Sequence, residues 1–393
     1  MTKNNKSVKP LVLASLISAI SAPSMAAITF FDDEKIGTVS VDASFNTFYS
    51  QTSIENDITG QDRDQARVRS GFLPNWVGFN FKKELENVTI GGRSSFWVSI
   101  NDSNQRITDT GIDVRQFYAT LDWKWGQVLI GKDFTLFSRS NIFLDEILLG
   151  YGNVNDSLGL VDGTGVSFGN IGSGYIYPLP TSQITYRTPE FGGGFKLALG
   201  VVDPGNTSED RNPTGRSSEE SAPRFEGELT YNTKFSGGSF HAFAGFLTQS
   251  TDQENEDSID SNGFSFGGKI SVGGFSLHAS GFDGQALGLL LGPGGDAGLG
   301  LNNFLVEDGD EVDSNGTLTQ LAYKHGKNRF VFSYGETEVE TDTVVENEGT
   351  QVAWFHAYNK NVTFVAEYSI NEFSVGSATE EADTLALGAV VNF

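Results

Sequence analysis

The chain has 393 residues, with 26 Lys and Arg against 50 Asp and Glu, 47 Gly, 31 Phe, four His and no Cys, for a formal net charge of −24. The missing cysteines exclude a disulfide framework, a thiolate nucleophile and Cys-based metal centres. The acidity argues against a nucleic-acid partner, which needs clustered Lys and Arg to displace counterions.

Residues 1–26 read as a cleaved secretory signal. Lys3, Lys6 and Lys9 form a basic segment, Leu11 to Ile20 an apolar one, and Ser24-Met25-Ala26 a small-residue cleavage site. An apolar run of roughly ten residues is about half of what a ~30 Å hydrocarbon core demands of a helix. Three positive charges leave with the signal, so the exported chain is more acidic still. Beyond residue 26 nothing approaches the ~18 apolar residues of a membrane helix, which leaves a soluble exported protein or an outer-membrane barrel.

The rest of the chain, 27–393, alternates with a period of two. Phe264, Phe266 and Ile270 alternate with Ser265, Gly267 and Lys269; Phe330, Phe332 and Tyr334 with Arg329, Val331 and Ser333; Phe393, Val391 and Leu387 with Asn392, Val390 and Gly388. This pattern predicts strands near 37–50, 65–82, 88–101, 112–124, 126–133, 182–188, 194–202 and 224–232. Eight more follow near 239–249, 263–272, 275–283, 317–325, 328–336, 350–358, 361–371 and 383–393. Sixteen is an even number, as single-chain bacterial barrels require.

The connectors alternate in length. Short turns such as Gly192-Gly193-Gly194, Ser236-Gly237-Gly238 and His325-Gly326-Lys327 separate long segments near 51–64, 133–181, 203–223, 250–262, 283–316, 336–349 and 371–382. A soluble sandwich has little reason to alternate this way or to point Phe, Leu and Tyr outward. The expected fold is all-β: one 16-stranded antiparallel transmembrane barrel with no linker or second domain. Trp76, Trp123, Trp125, Tyr231, Tyr334, Trp354 and Tyr358, near strand ends, suit interfacial girdles.

The stretch Arg115-Gln116-Phe117-Tyr118-Ala119-Thr120-Leu121, followed by Gly126-Gln127-Val128-Leu129-Ile130-Gly131-Lys132, resembles a strand-turn-strand run of Gram-negative general porins. Ile184-Thr185-Tyr186-Arg187-Thr188-Pro189-Glu190-Phe191 resembles the run after the long third loop of that family, and the terminal Phe393 resembles its C-terminal assembly signal. The resemblance implies a homotrimer in the outer membrane of a Gram-negative bacterium, in contact with lipid bilayer and lipopolysaccharide and delivered by the outer-membrane assembly machinery. It also implies a third loop that folds into the lumen, and passive diffusion of small hydrophilic solutes and ions.

For that loop, the segment from Asp133 to Gly150 reads as helical in its middle, with Ser140 placed to cap and Gly150 to stop. The resemblance sets Arg139, Asp145 and Glu146 at the constriction, the carboxylates opposite a basic wall. Alternation favours Arg67, Arg69, Arg93 and Arg187 for that wall, since a lipid-facing Arg at mid-depth costs roughly 2–4 kcal/mol. Lys132 and Arg115 join them on the family motif. Arg115 shares parity with Phe117 and Leu121, so either the lumen side there is packed under the third loop, or Gln116, Tyr118 and Thr120 face inward instead.

Acidic residues crowd the outer segments: Asp252, Glu254, Glu256, Asp257 and Asp260; Glu307 to Asp313; Glu336 to Glu348. They predict an acidic mouth and a weak cation preference. His241, His278, His325 and His356 are scattered with no nucleophile nearby, so no catalytic site is expected. No cofactor is expected, and no metal site, because EF-hand spacing is absent. The alternatives are a sugar-specific porin, for which Trp97 and Phe282 have the right parity, and a non-transport surface β-protein.

Overall fold

The computed structural model describes residues 27–103, 111–207, 218–253 and 257–393. The expected signal, 1–26, and the acidic Glu254 and Glu256 lie outside them. Eight spanning strands form the first half: β1 (Gly37–Asn56), β2 in two pieces (Arg63–Arg69 and Asn75–Glu84), β3 (Thr89–Val98), β4 (Asp113–Trp123), β5 (Gly126–Asp133), β6 (Thr181–Arg187), β7 (Phe195–Val202) and β8 (Arg224–Phe235). The second half comprises β9 (Gly238–Gln253), β10 (Ile259–Val272), β11 (Phe275–Gln285), β12 (Asp313–His325), β13 (Asn328–Val339), β14 (Val345–Ala357), β15 (Val362–Val375) and β16 (Ala378–Asn392). Sequence neighbours pair antiparallel, and β16 returns to β1 from Ser44↔Asn392 to Asn56↔Glu380, closing the barrel. A short strand, Ile28–Asp33, folds back on the start of β1.

Closure removes the sheet edges, whose unpaired N–H and C=O groups cannot be tolerated in lipid. The period-two alternation then sorts side chains. Phe264, Phe266, Phe275, Leu277, Leu321, Phe330, Phe332, Phe364 and Leu387 are exposed on the outer face, while Ser265, His278, Gln320, Ser333, Gln351 and Ser369 are buried on the inner one. An apolar belt this continuous suits a bilayer and not water. Aromatic side chains edge it near the short turns: Trp123 stacks on Trp125 at 4.7 Å, and Phe275 on Tyr323 at 4.3 Å. Trp76 departs from that expectation, because it is buried on the inner face with its Nε1 donating to Asp42 Oδ1 at 3.2 Å.

Strand extends into several of the expected long connectors, shortening 51–64 to 57–62, for example, and it replaces two of them almost entirely. β13 and β14 are joined by 340–344 alone, and β15 and β16 by Gly376-Ser377. A strand needs about 9–11 residues to span, so these 12- to 15-residue strands project beyond the belt. Past its edge the outward residues change from Phe and Leu to Glu, which reads like a loop in composition while the pairing continues.

β2 is broken at 70–74, and Asn46 of β1 replaces the lost ladder. Its N–H donates to Asn75 Oδ1 at 2.5 Å, its Nδ2 to Leu73 O at 2.8 Å, and its Oδ1 accepts from Gly71 N at 2.7 Å. The break admits the third loop: Phe72 N donates to Gly150 O at 3.1 Å. A Cβ on Gly71 would strike that carbonyl and the ring of Phe48.

Candidate channel constriction

The third loop, 134–180, leaves β5 and runs inside the barrel before returning to β6, tied to the wall at successive points. Leu136 N and Phe137 N donate to Glu226 Oε2 at 2.6 and 2.9 Å, and Ser140 donates through N and Oγ to Glu228 Oε1 at 3.1 and 2.6 Å. The expected helix is present but short, Arg139–Leu144; its N-cap is Ser138, and Ser140 serves as the anchor to Glu228. Farther along, Glu367 of β15 accepts from Tyr151 N at 2.9 Å and Gly152 N at 2.7 Å. Glu380 of β16 accepts from Asp156 N and Ser157 N at 2.5 and 2.8 Å. Arg63 of β2 pairs with Asp156 at 2.5 Å and Asp162 at 2.6 Å. The tip then reaches Thr337 Oγ1 through Gly174 N at 2.9 Å, while Gly172 O accepts from Asn347 Nδ2 at 2.7 Å.

These anchors share one logic. Loop backbone has no ladder of its own, and an unpaired buried amide costs about 1–3 kcal/mol. Carboxylates on the lumen face of β8, β15 and β16 satisfy loop N–H groups with charge-assisted bonds. Arg69 does the converse, donating to the carbonyls of Val161 at 2.5 Å, Gly165 at 2.9 Å and Gly163.

Glu146 is shared by two basic side chains of the wall. Its carboxylate is 2.6 Å from Lys269 Nζ of β10 and 2.8 Å from Arg329 of β13, and it accepts from Ser276 Oγ at 2.5 Å. Burial pushes its pKa up, but Lys269 and Arg329 outweigh burial and hold it below the usual carboxylate value. The neighbouring Asp145 is 6% exposed. It accepts from Gln320 Nε2 at 2.6 Å, Tyr175 Oη at 2.8 Å and Asn170 Nδ2 at 3.0 Å. The hydrogen-bond partners of Asp145 are therefore neutral, two within the loop and Gln320 on β12, and not the basic wall residues expected opposite it.

The remaining expected wall residues divide. Arg67 lies 3.4 Å from Asp162 and donates to Asp102 O, so it and Arg69 belong to the loop's mooring. Arg93 is held by Asp42 at 2.6 Å, Asn80 and Gln116. Arg139 and Arg187 share Asp133, at 3.2 and 3.9 Å. Arg115 does face in: it donates to Tyr177 Oη at 2.9 Å and lies 5.2 Å over the ring of Trp97. A bulge explains its parity, because Ser95 pairs with Gln116 and Trp97 with Asp113, which leaves an extra residue in β4. Lys132 is a correction. It pairs across strands with the outward-facing Phe117, which places it on the outer face. Phe393 completes the β1 ladder through its N and O to Ala43, at 3.0 and 2.6 Å, and its ring sits 5.8 Å from that of Phe45.

A closed barrel, an inward-folded loop and a charged lumen occur together in this chain. The model of the Gram-negative porin family matches residues 12–375. The chain belongs to the Gram-negative porin family. It is a channel protein of the Gram-negative outer membrane and not an enzyme. The anion-selective porin of Comamonas acidovorans is similar in structure, with TM-score 0.63 and 14% identity over 90% of this chain and 99% of that one. So is the outer-membrane channel DcaP of Acinetobacter baumannii, with TM-score 0.66 and 16% identity over 92% and 99%. OmpT of Vibrio cholerae, in a trimer form, gives 0.55 and 14% over 91% and 99%. These likenesses concern the fold. No curated protein matches the chain in sequence.

This porin has a second inward-folded segment that the sequence reading treated only as a long acidic connector. In the loop between β11 and β12, Leu287, Leu289, Leu290 and Leu305 are fully buried. Its Leu290 O accepts from Tyr177 N of the third loop at 2.8 Å. Asp296 holds it together, accepting from Leu289 N, Leu290 N and Leu291 N at 2.5, 2.9 and 2.6 Å. Burial pushes this carboxyl up to about 6, against the pull of those three amides. An acid with a raised folded-state pKa contributes stability that is complete below its unfolded value of 3.8 and is lost as pH rises through about 6. Hydrogen exchange of 286–305, corrected for intrinsic rates, is expected to show stronger protection at pH 5 than at pH 8; equal protection would refute the assignment.

The histidines carry no nucleophile pair. His241 and His278 contact the side-chain oxygens of Asn232 and Gln320 at 2.6 and 3.1 Å, and His356 that of Asn328 at 2.8 Å. Lys269, Arg329, Glu226, Glu228, Glu367, Glu380 and Arg63 are functional contacts beyond those expected from the sequence. A usable signal was present: an ionisable residue at an inward position among Ser and Thr must meet a partner inside. On the outer wall, Glu336, Glu346 and Glu348 bring carboxylate oxygens within 4.8 Å of one another. These three carboxylates, expected at the mouth, therefore lie on the outer wall.

Proposed function

We propose that the protein conducts small hydrophilic solutes and ions passively through a water-filled lumen narrowed by the third loop. The supporting observation is Glu146 clamped between Lys269 and Arg329, which moors the loop's short helix to the wall formed by β10–β13. A segment held on opposite sides of the barrel leaves only the unfilled remainder of the cross-section for passage. Arg93 and Arg115 pair with Asp42 and Asp113, Arg139 and Arg187 share Asp133, and Lys269 and Arg329 share Glu146; with the buried Asp145 and Glu228 beside them, the lumen's own field is largely offset. The acidic outer loops then tip selectivity weakly toward cations, by an amount that salt screens. Reversal potentials in a salt gradient are expected to show that preference at low ionic strength and its decline above 1 M. Anion preference at low salt would contradict it.

A sugar track is disfavoured, because Trp97 and Phe282 are buried, in apolar clusters that include Phe134 and Phe137. The protein assembles as a homotrimer, in keeping with the trimer form of the similar OmpT. The outer carboxylates around Glu348 contact lipopolysaccharide through divalent counterions, and Phe393 serves as the signal to the assembly machinery.

A further inference from the structure

Outside the lumen, the wall formed by β9–β12 is dented at the upper edge of the apolar belt. The dent has a volume of about 540 Å³, within the ~300–1,000 Å³ range of small-molecule sites. Its origin is local. Gly263 and Gly284 pair across β10 and β11, and a Cβ on Gly263 would stand 2.7 Å from Leu287 and 2.8 Å from Phe137. Without side chains at this pair, the sheet sinks onto the two inner loops, and a hollow opens on the other side.

The lining changes character with height. Below lie Phe246 and Phe264, the latter stacked on Phe266 at 5.9 Å between centroids. Asp283 and Asn315 continue that cross-strand row, and the next row holds Thr248, Asn262, Gln285 and Asp313, with Glu340 beside it. Thr248 Oγ1 donates to Asn262 Oδ1 at 2.8 Å, and Gln285 Nε2 to Asp260 O at 3.1 Å, so the amide groups are oriented and not free to swing. The lining contains no Lys, Arg or His.

We propose that this hollow is a binding site for an amphiphile with a hydroxyl-rich, non-anionic head, such as an alkyl glycoside or glycolipid. Hydroxyl donors of a sugar find charge-assisted acceptors in Asp283, Asp313 and Glu340, and Asn262, Gln285 and Asn315 offer both donors and acceptors. The aromatic ledge lies where an acyl chain would descend into the belt, and the carboxylates repel phosphate or sulfate heads. The site is separate from the lumen and does not depend on how the channel conducts.

The chain has no cysteine, so Ser250→Cys places a single environment-sensitive dye just above the hollow. In phosphatidylcholine nanodiscs, dodecyl maltoside is expected to give a saturable response at about tenfold lower mole fraction than dodecylphosphocholine or dodecyl phosphate, a difference of ~1.4 kcal/mol. The response should disappear in Asn262→Trp, which fills the hollow, and in Asp283→Ala, which keeps its shape. It should also be absent from a dye at Glu372→Cys, which faces outward on β15, away from the hollow. Equal responses to the three heads, a response without saturation, or free maltose acting as well as its dodecyl glycoside would each overturn the proposal.

Discussion

Replacing Glu146 with Ala is expected to raise single-channel conductance, add slow current noise and shift selectivity toward anions. The carboxylate is the shared partner of Lys269 and Arg329, and all three lie largely inside the protein, with 7%, 24% and 26% side-chain exposure. Removing one partner of a largely buried ionic contact leaves uncompensated charge and costs roughly 3–5 kcal/mol. That cost falls on docking the loop and spares the sheet, whose ladder does not involve Glu146. Arg329 also holds the Glu146 backbone carbonyl, at 2.6 Å, and Glu146 N donates to Gln320 at 2.8 Å, so the segment loosens without being released. The triple change Glu146→Ala, Lys269→Ala and Arg329→Ala removes the stranded charges and should return selectivity toward the wild-type value while the noise remains. Planar-bilayer recordings read both; wild-type conductance in Glu146→Ala would refute the clamp.

Arg69→Ala is expected to free the other arm of the same loop. Arg69 is 2% exposed, and its guanidinium donates to three carbonyls, those of Val161, Gly163 and Gly165. A hydrogen bond from a charged donor is worth about 1.5–3 kcal/mol, and the stranded carbonyls lose their only common donor. The barrel should retain its thermal stability, since Arg69 pairs with Phe48 through backbone alone. Limited proteolysis of the folded protein should cut within 156–165 at a rate at least ten times that of the parent, each tenfold corresponding to ~1.4 kcal/mol. An unchanged rate would mean that Arg63, through Asp156 and Asp162, is sufficient on its own.

The barrel was legible because one rule governs every strand. Phe264 and Phe266 must face out if Ser265 and Lys269 face in, and that alternation continues to Phe393. It failed where the environment of the outer face changes. Glu336, Glu338, Glu346 and Glu348 occupy outward positions with the same period as Phe330 and Phe332, but above the belt, where carboxylates replace apolar groups and strand resembles loop. Arg115 shows a second limit, since an extra residue in β4 inverts parity and nothing in the local composition announces the bulge.

The site was only partly legible. Glu146 lies in the third loop, and parity puts Lys269 and Arg329 on the inner face. Their meeting depends on the path of a long segment that has no period, so the wall named in their place was the one nearest the family motif. That wall, Arg67 and Arg69 above all, holds the loop's other arm. Lys132 went wrong differently: motif outweighed alternation, and its pairing with Phe117 shows that alternation was right.

Polymer exclusion tests the central claim, that the third loop limits the lumen, most directly. Polyethylene glycols of increasing size are added to a bilayer holding the channel, and the size at which conductance recovers marks what no longer enters. The cut-off of the wild type is expected to move to distinctly larger polymers in Glu146→Ala. An identical cut-off in the two proteins would contradict it, because the narrowest point would then be set by the barrel wall and not by the loop that Glu146 moors.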